Sequence, residues 1–123
     1  MVSVTIRIDL SEEDAVGPGK IRLLEHIRET GSISAAGRAM DMSYRRAWML
    51  IDVLNTSFRR KVVSTTLGGK EGGGAKLTAF GQELLKRYRA IENDAEIELA
   101  VDGRGLLDEK PLHLLPLRGR SGA

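Results

Sequence analysis

The residues of this chain whose types and spacing could do chemistry are mostly cations and hydroxyls. Ser43, Tyr44, Arg45 and Arg46 are consecutive, and Ser32 and Ser34 precede them at the start of another helix-like segment. An arginine presents a planar fork of donors that fits guanine O6 and N7, a contact worth ~1–3 kcal/mol of discrimination. A serine at a helix start, with the unpaired backbone N–H groups there, suits a phosphate oxygen. The same serines also serve as helix caps, and the two roles are compatible. Lys70 stands in Gly68-Gly69-Lys70-Glu71-Gly72-Gly73-Gly74, where the glycines let backbone approach a phosphate closely.

Other chemistries find little support. There is no cysteine, which excludes disulfides, thiolate metal sites, iron–sulfur clusters and a cysteine nucleophile. His26 and His113 are too far apart in sequence for a histidine-rich metal motif, and His26 reads as structural or exposed. Acids and bases are plentiful, but none forms a nucleophile–base–orienter set, so no enzyme is expected. The glycine-rich loop lacks the spacing of nucleotide-phosphate and dinucleotide loops. Five aromatic residues in 123 argue against an RNA-stacking surface.

The length suits one domain, with a hydrophobic fraction of 41% and a charged fraction of 29%, as in globular proteins. No apolar run reaches the ~18–20 residues of a membrane span, and no apolar signal stretch opens the chain. A cytoplasmic protein without a membrane partner is therefore expected. The net charge of +2 is unevenly placed: Lys20 to Arg89 carries 14 Lys/Arg against 6 Asp/Glu, a net of +8. A basic middle between acidic ends suggests a polyanionic partner, although scattered surface charge would give the same total.

The elements that must position these side chains are legible from periodicity. Val2, Val4, Ile6, Ile8 and Leu10 alternate with polar residues, which predicts a strand. Ser11 with Asp14 resembles a capping box, and Gly17-Pro18-Gly19 reads as a chain break. Ile21, Leu23, Leu24 and Ile27 predict a helix stopped at Gly31. A short helix follows with Ile33, Ala36, Ala39 and Met40 inward, then a break at Asp41-Met42. Ser43 opens a third helix to about Asn55, with Ala47, Leu50, Ile51 and Leu54 inward. Trp48 lies at the edge of that face, suited to packing or to contact with a ligand. Val62 to Leu67 reads as a strand, Ala75 to Leu77 as its partner across the glycine loop, and Thr78 as the start of a long helix. Phe80, Leu84, Tyr88, Ile91, Ala95 and Leu99 keep one stripe for about 20 residues, or roughly 30 Å. A stripe that long favours a partner helix over folding back. After Asp102 the pattern dissolves into a tail.

Two helices joined by a tight turn and followed by a hairpin form a helix-turn-helix with a wing. In such a unit the second helix enters the DNA major groove and its N-terminal residues face base edges. The stretch GSISAAGRAMDMSYRRAWMLID, followed by TTLGGKEGGGAKLTAFGQELL, resembles the N-terminal DNA-binding domain of the ModE family of molybdate-responsive transcriptional regulators. More distantly it resembles the winged helix-turn-helix of LysR-type regulators. The carrying residues are Gly31-Ser32-Ile33-Ser34, Ser43-Tyr44 with Ala47-Trp48, the glycine-rich wing, and Leu77-Thr78 with Gly81; the resemblance covers about residues 2–100.

The resemblance implies that Ser43, Tyr44, Arg45, Arg46 and Met49 read the major groove of double-stranded DNA and that the wing at Lys70 touches its backbone. It also implies a homodimer built on the long helix through Leu84, Tyr88, Ile91, Ala95 and Leu99, with the N-terminal strand contributing. The expected fold is mainly α with a small β component: a winged helix-turn-helix with an N-terminal strand, a Gly-rich wing hairpin and a long C-terminal dimerisation helix. It is expected over 1–101, with a partly disordered tail over 102–123. Family members carry a C-terminal molybdate-binding domain, and the residues after the long helix are too few to form one. No cofactor is therefore identified, and no direct molybdate site is expected. Control through abundance, through a separate protein partner, or through a small-molecule effector at the dimer interface or tail stays open. The expected function is a sequence-specific transcriptional repressor acting as a homodimer. The alternative is a winged-helix protein-interaction module without specific DNA binding, which the acidic run Glu92, Asp94, Glu96 and Glu98 leaves open.

Overall fold

The computed structural model describes residues 4–66 and 74–100. The order is β1 (Ile8–Asp9), β2 (Ala15–Val16), α1 (Pro18–Thr30), α2 (Ile33–Ala39), α3 (Tyr44–Ser57), β3 (Val63–Thr66), β4 (Gly74–Leu77) and α4 (Ala79–Leu99). The chain divides into two compact units: Thr5–Arg89, and a second whose described residues are Val4 and 90–100. The last buried residue of α4 is Tyr88. The expected tail, 102–123, lies outside the described residues, as does Val2.

In the larger unit the strand expected over Val2–Leu10 shrinks to a two-residue ladder, Ile8 opposite Val16 and Asp9 opposite Ala15. Its partner can be no longer, because the turn at Ser11 closes one end and Gly17-Pro18 the other. The Ser11 hydroxyl accepts from the backbone N–H groups of Glu13 (3.3 Å) and Asp14 (3.1 Å). Ile6 and Ile8 still pack on the core. Pro18 does not break the chain; it opens α1, where its missing N–H costs nothing. Gly31 ends α1 in the left-handed region, φ 70°, with its N–H on the Ile27 carbonyl at 2.8 Å.

Ile21, Leu23, Leu24 and Ile27 of α1 are fully buried with Ala36 of α2 and Ala47, Ile51 and Leu54 of α3. In α2 the expected inward Ala39 is exposed and Gly37 is buried instead. Gly37 lets two helices meet: a Cβ there would lie 3.2 Å from the Ala47 Cβ and 3.4 Å from the Met42 carbonyl. β3 and β4 pair antiparallel from Val63 opposite Leu77 to Thr66 opposite Gly74, and β4 also ties back to α1, the Ala75 N–H donating to the Gly31 carbonyl at 3.0 Å.

Asn55, near the end of α3, fixes the entry to β3. Its Oδ1 accepts from the N–H groups of Val62 (2.7 Å) and Val63 (3.0 Å), and its Nδ2 donates to the Val63 carbonyl (3.0 Å). Thr78 fixes the entry to α4: its hydroxyl donates to the Lys61 carbonyl at 2.6 Å and accepts from the Gly81 N–H at 2.9 Å. Tyr88 is buried, and its hydroxyl donates to the Ile6 carbonyl. Among the described residues no helix is long and apolar enough to cross a membrane, and no cluster of His, Asp and Glu could hold a metal ion.

Candidate nucleic-acid interface

The site is built on α2, α3 and the turn between them, Met40 to Ser43. The turn is tight because Asp41 takes the left-handed conformation, φ 56°, which a short polar side chain tolerates. The N–H groups of Met40 and Met42 both donate to the Gly37 carbonyl, at 3.0 and 2.9 Å. That geometry and the Gly37–Ala47 contact set the angle at which α3 leaves α2.

Each helix is capped by the expected serine. The Ser32 hydroxyl accepts from the Ala35 N–H at 3.0 Å, and the Ser43 hydroxyl from the Arg46 N–H at 3.1 Å. Ser34 is not a cap. It lies inside α2, where its oxygen accepts from Arg38 Nη1 at 2.8 Å. Arg38 therefore joins the site as a cation that the periodicity of α2 did not single out. Its signal was its place four residues after Ser34, on the same helix face.

Burial of Ala47, Ile51 and Leu54 turns the opposite face of α3 outward. Tyr44 is 57% and Met49 54% exposed, and Arg45 and Arg46 are exposed beside them. Large apolar surface is held in water there without a core to fill. Trp48 is half-buried, packs against the core, and meets the Tyr44 ring edge-on at 6.3 Å. The packing reading of Trp48 is the one the core contact matches. Among the described residues Arg45 and Arg46 have no ion-pair partner, so both guanidinium groups are available to a ligand. Asp52, exposed and three residues past Met49, is the acid on this face. Lys70, expected to touch the DNA backbone, lies outside the described residues.

The residues expected at a dimer contact separate into two groups. Leu84 is half-buried and Tyr88 fully buried in the larger unit, so Tyr88 belongs to that unit's core. Its ring and hydroxyl are both satisfied there, which periodicity alone does not distinguish from an interface position. In the second unit Ile91 is 44% and Leu99 37% exposed, with Ala95 half-buried between them. Ile97, off that stripe, is 57% exposed.

A helix pair joined by a four-residue turn, followed by a two-stranded wing and a long helix, defines the class: a winged helix-turn-helix. A crystal structure of a LysR family transcriptional regulator shares this fold, with a TM-score of 0.50 at 15% identity over 70% of this chain and 28% of that one. No family model matches the chain. Among curated proteins it is 37% identical over 95 residues to the molybdenum transport protein ModE of Azotobacter vinelandii, covering 77% of this chain and 34% of that protein. It is 44% identical over 77 residues to the molybdenum-pterin-binding protein MopB of Rhodobacter capsulatus, covering 63% of this chain and 28% of that one. It is 36% identical over 85 residues to the DNA-binding transcriptional dual regulator ModE of Escherichia coli K12, covering 69% of this chain and 32% of that one. The resemblance to ModE-type proteins thus extends over most of this chain, while the chain spans about a third of the length of these relatives.

Proposed function

We propose that the chain is a sequence-specific, DNA-binding transcriptional regulator of ModE type, a cytoplasmic repressor that acts as a homodimer in molybdenum-related gene control. The observation that carries the reading is the outward face of α3. Tyr44, Arg45, Arg46 and Met49 stand in solvent at the start of the second helix of a helix-turn-helix, uncommitted to the core. That is where such a helix meets base edges. The serine caps and Arg38 border it with phosphate-seeking groups.

The test is selection from a random duplex pool at physiological salt, with purified protein and no added ligand. A two-fold symmetric motif is the expected outcome, and adding molybdate then asks whether an effector changes the affinity. Retention of DNA without a motif contradicts sequence specificity. No retention at all favours a protein-interaction module, for which the exposed Ile91, Ile97 and Leu99 would be the contact.

A further inference from the structure

One charged feature of the larger unit borders the outward face of α3. Beside the first turns of α3 lies a hollow of about 320 Å³, lined by Arg7, Lys20 and Arg46 over an apolar floor that includes Pro18, Met42 and Leu50. The three cations come from separate places: the segment before β1, the first turn of α1, and the first turn of α3. No acidic residue lines the hollow.

The cations are held but not neutralised. Lys20 Nζ donates to the Ala15 carbonyl at 2.8 Å, which fixes the ammonium at the rim and leaves it further donors. Arg7 Nε meets Asp9 Oδ1 at 2.8 Å, but both side chains are exposed, so water and salt screen the pair. Arg46 has no ion-pair partner among the described residues. Like charges converging on one concavity repel each other, and an anion seated among them removes that repulsion.

We propose that this hollow is a phosphate clamp: Arg7, Lys20 and Arg46 together hold one phosphodiester of the DNA backbone beside the bases that α3 reads. The proposal rests on the DNA-binding reading above and divides the labour of two adjacent arginines. Arg45 reads bases, whereas Arg46 turns to the clamp and sets the register of α3 in the groove. Backbone contacts position a protein on DNA, and base contacts specify the sequence.

The experiment measures duplex affinity of the whole chain across a salt series, on the selected duplex and on a scrambled one. Lys20→Gln, Arg7→Gln and Arg46→Gln should each weaken both duplexes by the same factor and leave the preference ratio unchanged. Each should also flatten the slope of log affinity against log salt, by at most about 0.9 for each half-site because the three cations share one phosphate. Lys20→Arg should keep the slope, separating the charge from the bond to Ala15. Lys86→Gln, on the exposed side of α4, should leave the slope as it was. Unchanged slopes in Lys20→Gln and Arg7→Gln overturn the clamp, as does an Arg46→Gln variant that loses preference rather than overall affinity. Failure of the unmutated chain to bind any duplex overturns the DNA-binding reading itself, and the clamp with it.

Discussion

Arg45, Asn55 and Glu25 show how differently single side chains serve this molecule. Arg45 is exposed on the reading face, so Arg45→Ala should leave the fold intact and relax the base preference at one position of each half-site. The lost discrimination should be about 1–3 kcal/mol, read by repeating the selection with the variant. Asn55 works inward. Removing it strands the N–H groups of Val62 and Val63, both buried residues, so Asn55→Ala should cost about 2–3 kcal/mol in urea unfolding. Glu25 works through charge. The Arg89 guanidinium bonds its carboxylate through Nε at 2.9 Å and Nη2 at 2.6 Å, and those bonds hold its pKa below the usual range against an opposing effect of burial. Arg28 and His26 add smaller attractions. A depressed folded pKa contributes stability above the unfolded value, and that contribution disappears as pH falls through the folded value. Glu25→Gln should therefore be less stable than the parent at neutral pH, with the gap closing in acid. A gap that persists in acid would show that shape, and not charge, carries the pair.

Between elements, close approach decides more than propensity does. The first turn of α4 passes over the start of β3 so tightly that a Cβ on Gly81 would lie 2.2 Å from the Val62 carbonyl oxygen. Backbone cannot yield as a flexible side chain does, so Gly81→Ala should destabilise by about 1–3 kcal/mol or more. Gly37→Ala meets the Ala47 methyl at 3.2 Å and should cost less. Thermal unfolding of both variants checks the order, and a Gly37 variant below the Gly81 variant would contradict it. The Gly37 variant carries a second consequence. It pries α2 from α3 and tilts the reading helix, so its DNA affinity should fall more than its stability does.

For the whole molecule the open question is assembly. Ile91 and Leu99 are the exposed members of the stripe on the distal part of α4, and apolar surface of this kind gains from a partner. Replacing both with glutamate should halve the mass measured by sedimentation. It should also weaken binding to a two-fold site far more than to a half-site, because each half then binds alone. An unchanged mass would overturn a dimer built on α4.

The sequence by itself determined the winged helix-turn-helix. Period-3.6 stripes, serine caps and a β-branched run before a glycine-rich segment are local signals, and each acts over a few residues. They also placed Tyr44, Arg45, Arg46 and Met49 on the outward face of α3, because Ala47, Ile51 and Leu54 fix the inward one. Only the tertiary structure decided that Tyr88 is core and Ile91 is not, since both continue one stripe and differ only in what lies opposite. It alone showed why Gly37 and Gly81 are glycines, since one faces the Ala47 methyl on the next helix and the other the Val62 carbonyl. It alone brought Arg7 and Lys20 to Arg46. Spacing along a chain encodes which face a side chain takes on its own helix. Contacts between residues far apart in sequence follow from how the elements pack, and no single segment carries that information.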